Sequence, residues 1–298
     1  MIGCTPDTTV IGFGELLWDI FPAGRRPGGA PANVAFHATQ FGARGIVCSR
    51  VGRDPLGDEL LDHLRRHGLD PRHVQVDPAR PTGGVTVEAV DPTHPRFTIH
   101  EDAAWDHVAF TPEWEQLCRT ADAFCFGTLI RRTIDGESTL LNCLDAARRA
   151  LIVYDINLRP PWFDAARVDD SLRRAHVAKL NGDELHQLAT MFSLPGRDHR
   201  EQATALRRAF SLRGVCVTRG AEGCLLHVDD DVVEVPGIRV RVADAVGAGD
   251  AFTAAMTVGL LARRPLKEVA AFANKVGALV AAREGAMPDI RTELTRTP

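Results

Sequence analysis

The feature that most constrains the fold is a regular alternation of short apolar runs with longer segments of helical spacing. Runs rich in β-forming residues occupy 10–14, 45–51, 123–127, 151–155, 178–180, 214–218 and 224–228. Linking segments such as 57–68, 135–149 and 201–212 repeat Leu, Ala and charged residues at the spacing of a helix. This alternation is typical of a doubly wound, mostly parallel sheet with flanking helices. The sequence therefore predicts an α/β fold.

Two segments depart from this alternation, at about 16–26 and 82–100. In the second, Val85, Val87 and Val90 and then Phe97 and Ile99 form strand-like runs separated by prolines. We interpret both segments as a small β lid. No internal repeat or long linker interrupts the chain, and 298 residues that are 45% hydrophobic can bury a large core. We predict one domain over residues 1–298 that includes the lid.

Charge and cysteine usage narrow the classes of partner. The 35 basic and 39 acidic residues give a formal charge of −4, so no general attraction to nucleic acid or to anionic membranes is expected. Neither end has the pattern of a targeting signal, and no apolar run approaches the roughly 20 residues of a membrane span. Seven scattered cysteines without a Cys-x-x-Cys pair argue against a disulfide framework. We expect a cytoplasmic protein that binds small molecules.

Residues 242–252 carry the pattern that best suits phosphoryl transfer. They read Val-Ala-Asp-Ala-Val-Gly-Ala-Gly-Asp-Ala-Phe, a short apolar strand, two glycines and a carboxylate before the helix-like segment 253–264. Gly247, Ala248 and Gly249 leave little side chain in the way, so their N–H groups can converge on a phosphate. Asp250 would then accept the proton of an attacking hydroxyl. The alternative is an ordinary glycine turn with Asp250 as the helix N-cap.

A second glycine cluster, residues 27–35, reads Pro-Gly-Gly-Ala-Pro-Ala-Asn-Val-Ala and suits contact with a small ligand. Gly28 and Gly29 admit close backbone approach, and the amide of Asn33 can both donate to and accept from the vicinal hydroxyls of a sugar. Asp19 offers a further hydroxyl acceptor. The alternatives are a helix cap for Asn33 and a solvated loop acid for Asp19.

The two glycine motifs, one near the start and one near the end of the chain, resemble those of the ribokinase or PfkB family of sugar kinases. Four segments between them, 52–57, 155–159, 181–184 and 218–223, also follow the family's order, so the resemblance covers nearly the whole chain. It implies a ribokinase-like sheet, a sugar beneath a β lid, and ATP at the carboxyl-end edge of the strands.

The resemblance also implies individual roles. Asp250 matches the base, and Gly247, Ala248 and Gly249 match the anion hole. Sugar contacts match Asp19, Gly28, Gly29 and Asn33. Nucleotide contacts match Thr218, Gly220, Gly223 and the adenine-side Asn274, while Asn181 and Glu184 match residues that place Mg²⁺ and the phosphates, largely through water. A helix start for Asn181 and Glu184 and a solvated or packing role for Asn274 are the alternatives.

One departure concerns the loop before the anion hole. Ala245 follows Asp244 where the family usually has Thr, so a hydroxyl that braces this loop is missing. The resemblance around Asp244 and Gly285 still implies a potassium or sodium ion, and we expect activity to rise with added potassium.

The sugar is indicated by a similarity to the fructokinase branch in residues 14–19, 127–132 and 155–162. Arg132 and Arg159 are candidates to grip sugar hydroxyls or the transferring phosphate, with surface ion pairs as the alternative. Phe97 and Trp105 would cover an apolar sugar face or simply pack the lid. The leading prediction is an ATP-dependent kinase acting on the primary hydroxyl of fructose.

The sequence is also compatible with other functions. A 2-keto-3-deoxygluconate kinase would pair Arg159 with the substrate carboxylate, and a ribokinase or nucleoside-type kinase would use the same machinery. A sugar- or nucleotide-binding regulator without turnover belongs to another class, and a dehydrogenase is more distant still. Because family members often dimerise through lid strands, we also expect a homodimer through the β lid.

Overall fold

The computed structural model describes residues 5, 7–88 and 96–295 of the chain. Its strands are β1 (Thr9–Phe13), β2 (Leu17–Phe21), β3 (Gly24–Gly28), β4 (Arg44–Gly52), β5 (Val74–Asp77), β6 (Gly83–Glu88), β7 (Arg96–Ile99), β8 (Ala123–Gly127), β9 (Leu151–Asp155), β10 (Val177–Asn181), β11 (Gly214–Thr218), β12 (Cys224–Val228) and β13 (Asp231–Val235). Its α-helices are α1 (Ala30–Gln40), α2 (Pro55–Arg66), α3 (Pro112–Thr120), α4 (Ile134–Ala146), α5 (Ala165–Arg174), α6 (Gly182–Met191), α7 (His199–Ala209), α8 (Ala248–Leu261), α9 (Leu266–Ala281) and α10 (Arg291–Thr295).

The central sheet has nine strands in the order β13-β12-β11-β10-β9-β8-β1-β4-β5. Neighbours from β5 to β11 run parallel, while β11–β12 and β12–β13 are antiparallel hairpin pairs. The predicted mostly parallel α/β sheet is therefore confirmed. Because parallel strands end at the same edge, the loops after β1, β9, β10 and β11 lie on one side of the molecule, where ligands of such sheets bind.

The core explains why the apolar runs became central strands. All five residues of β1 are buried, as are those of β9 and β12, because helices cover both sheet faces. Helix α2 begins at a typical start signal, because Asp54 accepts a hydrogen bond from the Gly57 amide and Pro55 stands in the first helical turn.

A second, four-stranded sheet has the order β3-β2-β6-β7. Two antiparallel hairpin pairs, β2–β3 and β6–β7, join through a parallel β2–β6 pair. This confirms the predicted small β sheet, with Leu17 and Val85 buried within it. Val90 lies outside the described residues, as does the side chain of Phe97.

The loop before α8 differs from the prediction. Residues 242–246 were expected to form a short strand, but the amides of Ala243 and Asp244 donate to the carbonyl of Ala281, at 2.9 and 3.2 Å. The segment is thus held by the end of α9 instead of a neighbouring strand, and α8 begins at Ala248, before the predicted 253.

In the described part of the chain, none of the helices combines the length and apolar character needed to cross a membrane. The six cysteines outside the undescribed N-terminal residues are free and buried.

Candidate active site

Two cavities meet at the N-terminus of α8. The first, here the sheet-side cavity, has a volume of about 450 Å³ and lies between the small sheet and the central sheet. The second, the edge cavity, has a volume of about 530 Å³ and is lined by the β11–β12 turn, residues 237–242, α8 and α9. Ala245 and Gly249 contribute to the walls of both cavities. Ligands in the two cavities would therefore face each other across the start of α8.

The start of α8 has the geometry of an anion site. Gly247 is left-handed, with φ of 77°, and a Cβ there would lie 2.6 Å from the Cα of Ala286, so only glycine fits. The Ala248 amide donates to the carbonyl of Ala245 at 3.3 Å, whereas within the described residues the amides of Gly249 and Asp250 meet no acceptor. Unsatisfied amides at the positive end of a helix favour a bound phosphate.

Asp250 projects into the sheet-side cavity, where its Oδ2 accepts a hydrogen bond of 2.7 Å from Nδ2 of Asn33. Burial, followed by the nearby charge of Asp155, raises its pKa to about 6, although the Asn33 hydrogen bond opposes the rise. A carboxylate with a pKa just below neutrality is well matched to accept a proton at physiological pH.

A buried ion pair lies behind the anion site. Nζ of Lys179 is 3.0 and 3.1 Å from the two carboxylate oxygens of Asp155, which also accepts from Oγ1 of Thr253 at 2.7 Å. Burial lowers the pKa of Lys179, but the charges of Asp155 and Asp250 outweigh this and hold it above its usual value. A Cβ on Gly249 would stand 3.1 Å from Nζ, so a permanent positive charge adjoins the loop.

The sequence analysis did not single out Lys179. The signal that would have found it is a lysine in the middle of a run predicted to be a buried strand, because such a charge requires a partner.

The predicted sugar contacts converge on the sheet-side cavity. Asp19, Gly29, Asn33 and Arg159 line it. Gly28 lies behind Asp19, and a Cβ on it would be 2.3 Å from Oδ2 of Asp19, so this glycine makes room for the carboxylate. Burial and then the charges of Asp250 and Asp244 raise the pKa of Asp19 to about 6.

Glu15 is a cavity residue that the sequence analysis missed. Its side chain is buried, and Oε1 accepts from the Ala30 amide at 3.3 Å. Its Oε2 is also buried and has no hydrogen-bond partner among the described residues. Burial, which outweighs the opposing backbone hydrogen bonds, raises the pKa of Glu15 to about 7. An acid directly after the first strand, at the ligand-binding sheet edge, was the available signal.

The structure places Arg132 differently from the prediction. It was predicted to bind sugar or phosphate, but its guanidinium is buried and forms hydrogen bonds of 2.6 Å to both carboxylate oxygens of Asp106. It also stacks 4.2 Å from the ring of Trp105 and 4.9 Å from that of Trp162. Neither Arg132 nor the fully buried Trp105 lines the sheet-side cavity, and their mutual contacts indicate packing instead of sugar binding.

The predicted nucleotide contacts line the edge cavity. Thr218, Gly220, Gly223 and Asn274 all form part of its wall. Nδ2 of Asn274 donates to the carbonyls of Val235 and Pro236, at 3.3 and 3.2 Å, so this side chain shapes the wall from behind. Ile238, Val240, Val242 and Phe252 give the cavity a mostly apolar lining. An apolar slot that ends at an anion site suits a nucleotide base joined to phosphates.

Asn181 and Glu184 form a capping box at the start of α6. Oδ1 of Asn181 accepts from the Glu184 amide at 2.8 Å, while the carboxylate oxygens of Glu184 accept from the amides of Leu158 and Asn181. Each carboxylate oxygen of Glu184 keeps a lone pair for a further hydrogen bond. The charge of Glu184 also helps to raise the pKa of Lys179 beside the anion site. These residues fit a magnesium ion held through water.

Comparisons with known proteins agree with this geometry. Residues 2–293 match the pfkB family of carbohydrate kinases. The chain is 28% identical over 271 residues to a sugar kinase of Pyrococcus horikoshii, covering 88% of this chain and 83% of the relative. It is 29% identical to fructokinase-2 of Oryza sativa subsp. japonica, covering 95% and 91%.

Crystal structures of the Pyrococcus horikoshii sugar kinase also match, at 27% identity. One superimposes with a TM-score of 0.83 over 96% of both chains, and a second, in complex with ATP, with a TM-score of 0.79 over 94% of both. The chain belongs to the pfkB family of carbohydrate kinases.

Proposed function

We propose that this pfkB-family kinase transfers the γ-phosphate of ATP to the primary hydroxyl of a neutral ketose, with fructose as the first candidate. The observation that carries the proposal is the position of Asp250. It lies half-buried at the wall of the sheet-side cavity, next to the free amides at the start of α8, and the edge cavity opens on the other side of those amides.

The reaction follows from this placement. A sugar hydroxyl in the sheet-side cavity would donate its proton to Asp250 while its oxygen attacks the γ-phosphorus. The bond between that phosphorus and the β–γ bridging oxygen breaks, and ADP leaves with the bridging oxygen. The amides of Gly249 and Asp250 and the ammonium of Lys179 would stabilise the negative charge on the transferring oxygens. Asn33 orients the base through its 2.7 Å hydrogen bond.

Magnesium would supply charge neutralisation on the ATP phosphates. Asn181 and Glu184 would hold it through water, as their capping box leaves one lone pair on each carboxylate oxygen of Glu184.

The charge of the sheet-side cavity favours a neutral sugar. Three carboxyl groups, those of Glu15, Asp19 and Asp250, line it with one guanidinium, that of Arg159. An acidic substrate would add negative charge to an already negative cavity. The similarity to plant fructokinases supports the same choice. A sugar acid such as 2-keto-3-deoxygluconate is the second candidate, because Arg159 is exposed at the cavity. Among the described residues, its guanidinium donates a hydrogen bond only to the carbonyl of the adjacent Leu158.

The test is product formation from ATP and magnesium across fructose, ribose, 2-keto-3-deoxygluconate, glucose and nucleosides. We expect fructose to be favoured and Asp250→Asn to lower kcat by about 10²–10⁴-fold, the usual contribution of a general base, with ADP affinity retained. Asp145→Asn, an exposed carboxylate paired with Arg174, is the matched control. Preference for the sugar acid would replace fructose with the second candidate, and an active Asp250→Asn enzyme would reject Asp250 as the base.

The proposal extends to the domain organisation, the lid, the dimer and the location of the protein. We propose that residues 1–298 form one cytoplasmic domain whose small sheet closes over the sugar. Amide hydrogen exchange in β6 and β7 should then slow when sugar binds, and unchanged exchange there would contradict closure. Pairing of two small sheets would give a homodimer, which sedimentation at increasing concentration tests.

A further inference from the structure

An arginine of the small sheet reaches the loop that precedes the anion site. Nη1 of Arg26, on β3, lies 2.7 Å from Oδ2 of Asp244, and its Nη2 lies 3.7 Å from a carboxylate oxygen of Glu284. The guanidinium also stacks 5.5 Å from the ring of Phe21 on the neighbouring strand. Arg26 thus joins the small sheet to the loop through a charge-assisted hydrogen bond.

Asp244 holds the loop together from its centre. Its Oδ1 accepts from the Val246 amide at 3.0 Å, and its Oδ2 accepts from the Gly285 amide at 3.2 Å in addition to Arg26. These two amides belong to the two segments that enclose Gly247, whose close neighbour is Ala286. The side chain of Asp244 is only 14% exposed, so its charge requires a nearby cation.

The family resemblance implies a potassium or sodium ion at this same loop, and the residues present do not fit one well. The carboxylate of Asp244 already accepts three hydrogen bonds, one of them from a guanidinium that would repel a second cation. Ala245 also lacks the hydroxyl that the family usually has there.

We propose that the guanidinium of Arg26 is a built-in cation of this loop, which takes the place of a monovalent ion and positions the free amides at the start of α8. Arg26 is a positioning residue, since it acts on the phosphates through Asp244. The inference rests on the proposed phosphoryl transfer at Asp250, and it opposes the expectation of potassium activation.

The first measurement is ADP affinity by calorimetry in desalted protein, with tetramethylammonium chloride or potassium chloride at equal ionic strength. We expect the wild-type affinity and kcat to be the same in both salts. We expect Arg26→Ala to weaken ADP binding about tenfold, as loss of one charge-assisted hydrogen bond implies. Added guanidinium ion or potassium should restore part of that loss, and Arg26→Lys should retain more affinity than Arg26→Ala.

Arg25→Ala is the matched control, because Arg25 lies on the same strand but pairs with Glu59 on α2. It should leave ADP affinity and kcat unchanged. Potassium stimulation of the wild-type protein, or wild-type ADP affinity in Arg26→Ala, would overturn the proposal. ADP affinity is read without any sugar, so failure to find a sugar substrate would count against the proposed function and not against Arg26.

Discussion

The buried carboxyl of Glu15, whose Oε2 has no hydrogen-bond partner within the described residues, allows a prediction of how stability depends on pH. Its pKa rises from 4.5 to about 7 on folding, chiefly through burial. The folded state therefore binds a proton more tightly than the unfolded state, and Glu15 destabilises the protein once the pH exceeds 4.5. Linkage gives a cost of about 1 kcal/mol at pH 5 and about 3 kcal/mol at pH 8. Glu15→Gln removes the titration while keeping the side-chain shape and an acceptor for the Ala30 amide.

The assay is urea unfolding of wild type and Glu15→Gln at both pH values. We expect the variant to gain about 2 kcal/mol more, relative to wild type, at pH 8 than at pH 5. Glu268→Gln, which removes an exposed glutamate paired with Arg264, should show a difference within about 0.5 kcal/mol at either pH. An equal effect of Glu15→Gln at pH 5 and pH 8 would refute the argument, because it would mean that Glu15 does not change protonation between them.

Three further predictions follow from the site and the core. The value of kcat/KM should fall as the pH drops through about 6, where Asp250 becomes protonated. Asn33→Ala should shift this fall to higher pH, because the hydrogen bond from Asn33 lowers the pKa of Asp250. If the fall stays at the same pH in this variant, it does not report the protonation of Asp250. In urea unfolding, Gly247→Ala should destabilise the protein more than Gly68→Ala. Both glycines have φ near 77°, but only a Cβ on Gly247 would lie 2.6 Å from the Cα of Ala286. Equal losses of stability would contradict the steric argument. Arg132→Met should lower the free energy of unfolding by about 3–5 kcal/mol, because it leaves Asp106 buried without its cation, and adding Asp106→Leu should recover much of that loss. An equal loss of stability in the double variant would refute this pairing.

Much of the fold followed from local patterns. The strands at 123–127, 151–155, 214–218 and 224–228 coincide with the predicted runs, because a strand buried on both faces must be apolar throughout. Strand β13, with exposed and half-buried residues at the sheet edge, carries no such pattern and was not predicted. The expected strand at 242–246 was wrong for a related reason. Val242 and Ala245 line the edge cavity, and the carbonyl of Ala281 accepts from the amides of Ala243 and Asp244, so none of the described strands pairs with them.

The candidate site divides in the same way. The sequence alone determined which residues can approach a phosphate and which can accept a proton, because glycine geometry and carboxylate chemistry are properties of the residues themselves. Only the tertiary structure decided which polar and charged groups meet. Asn33 reaches Asp250 across 217 residues and Arg26 reaches Asp244 across 218, while Arg132 was drawn into a buried pair with Asp106. Ion pairing and burial depend on distances between segments far apart in the chain, and no local pattern encodes those distances.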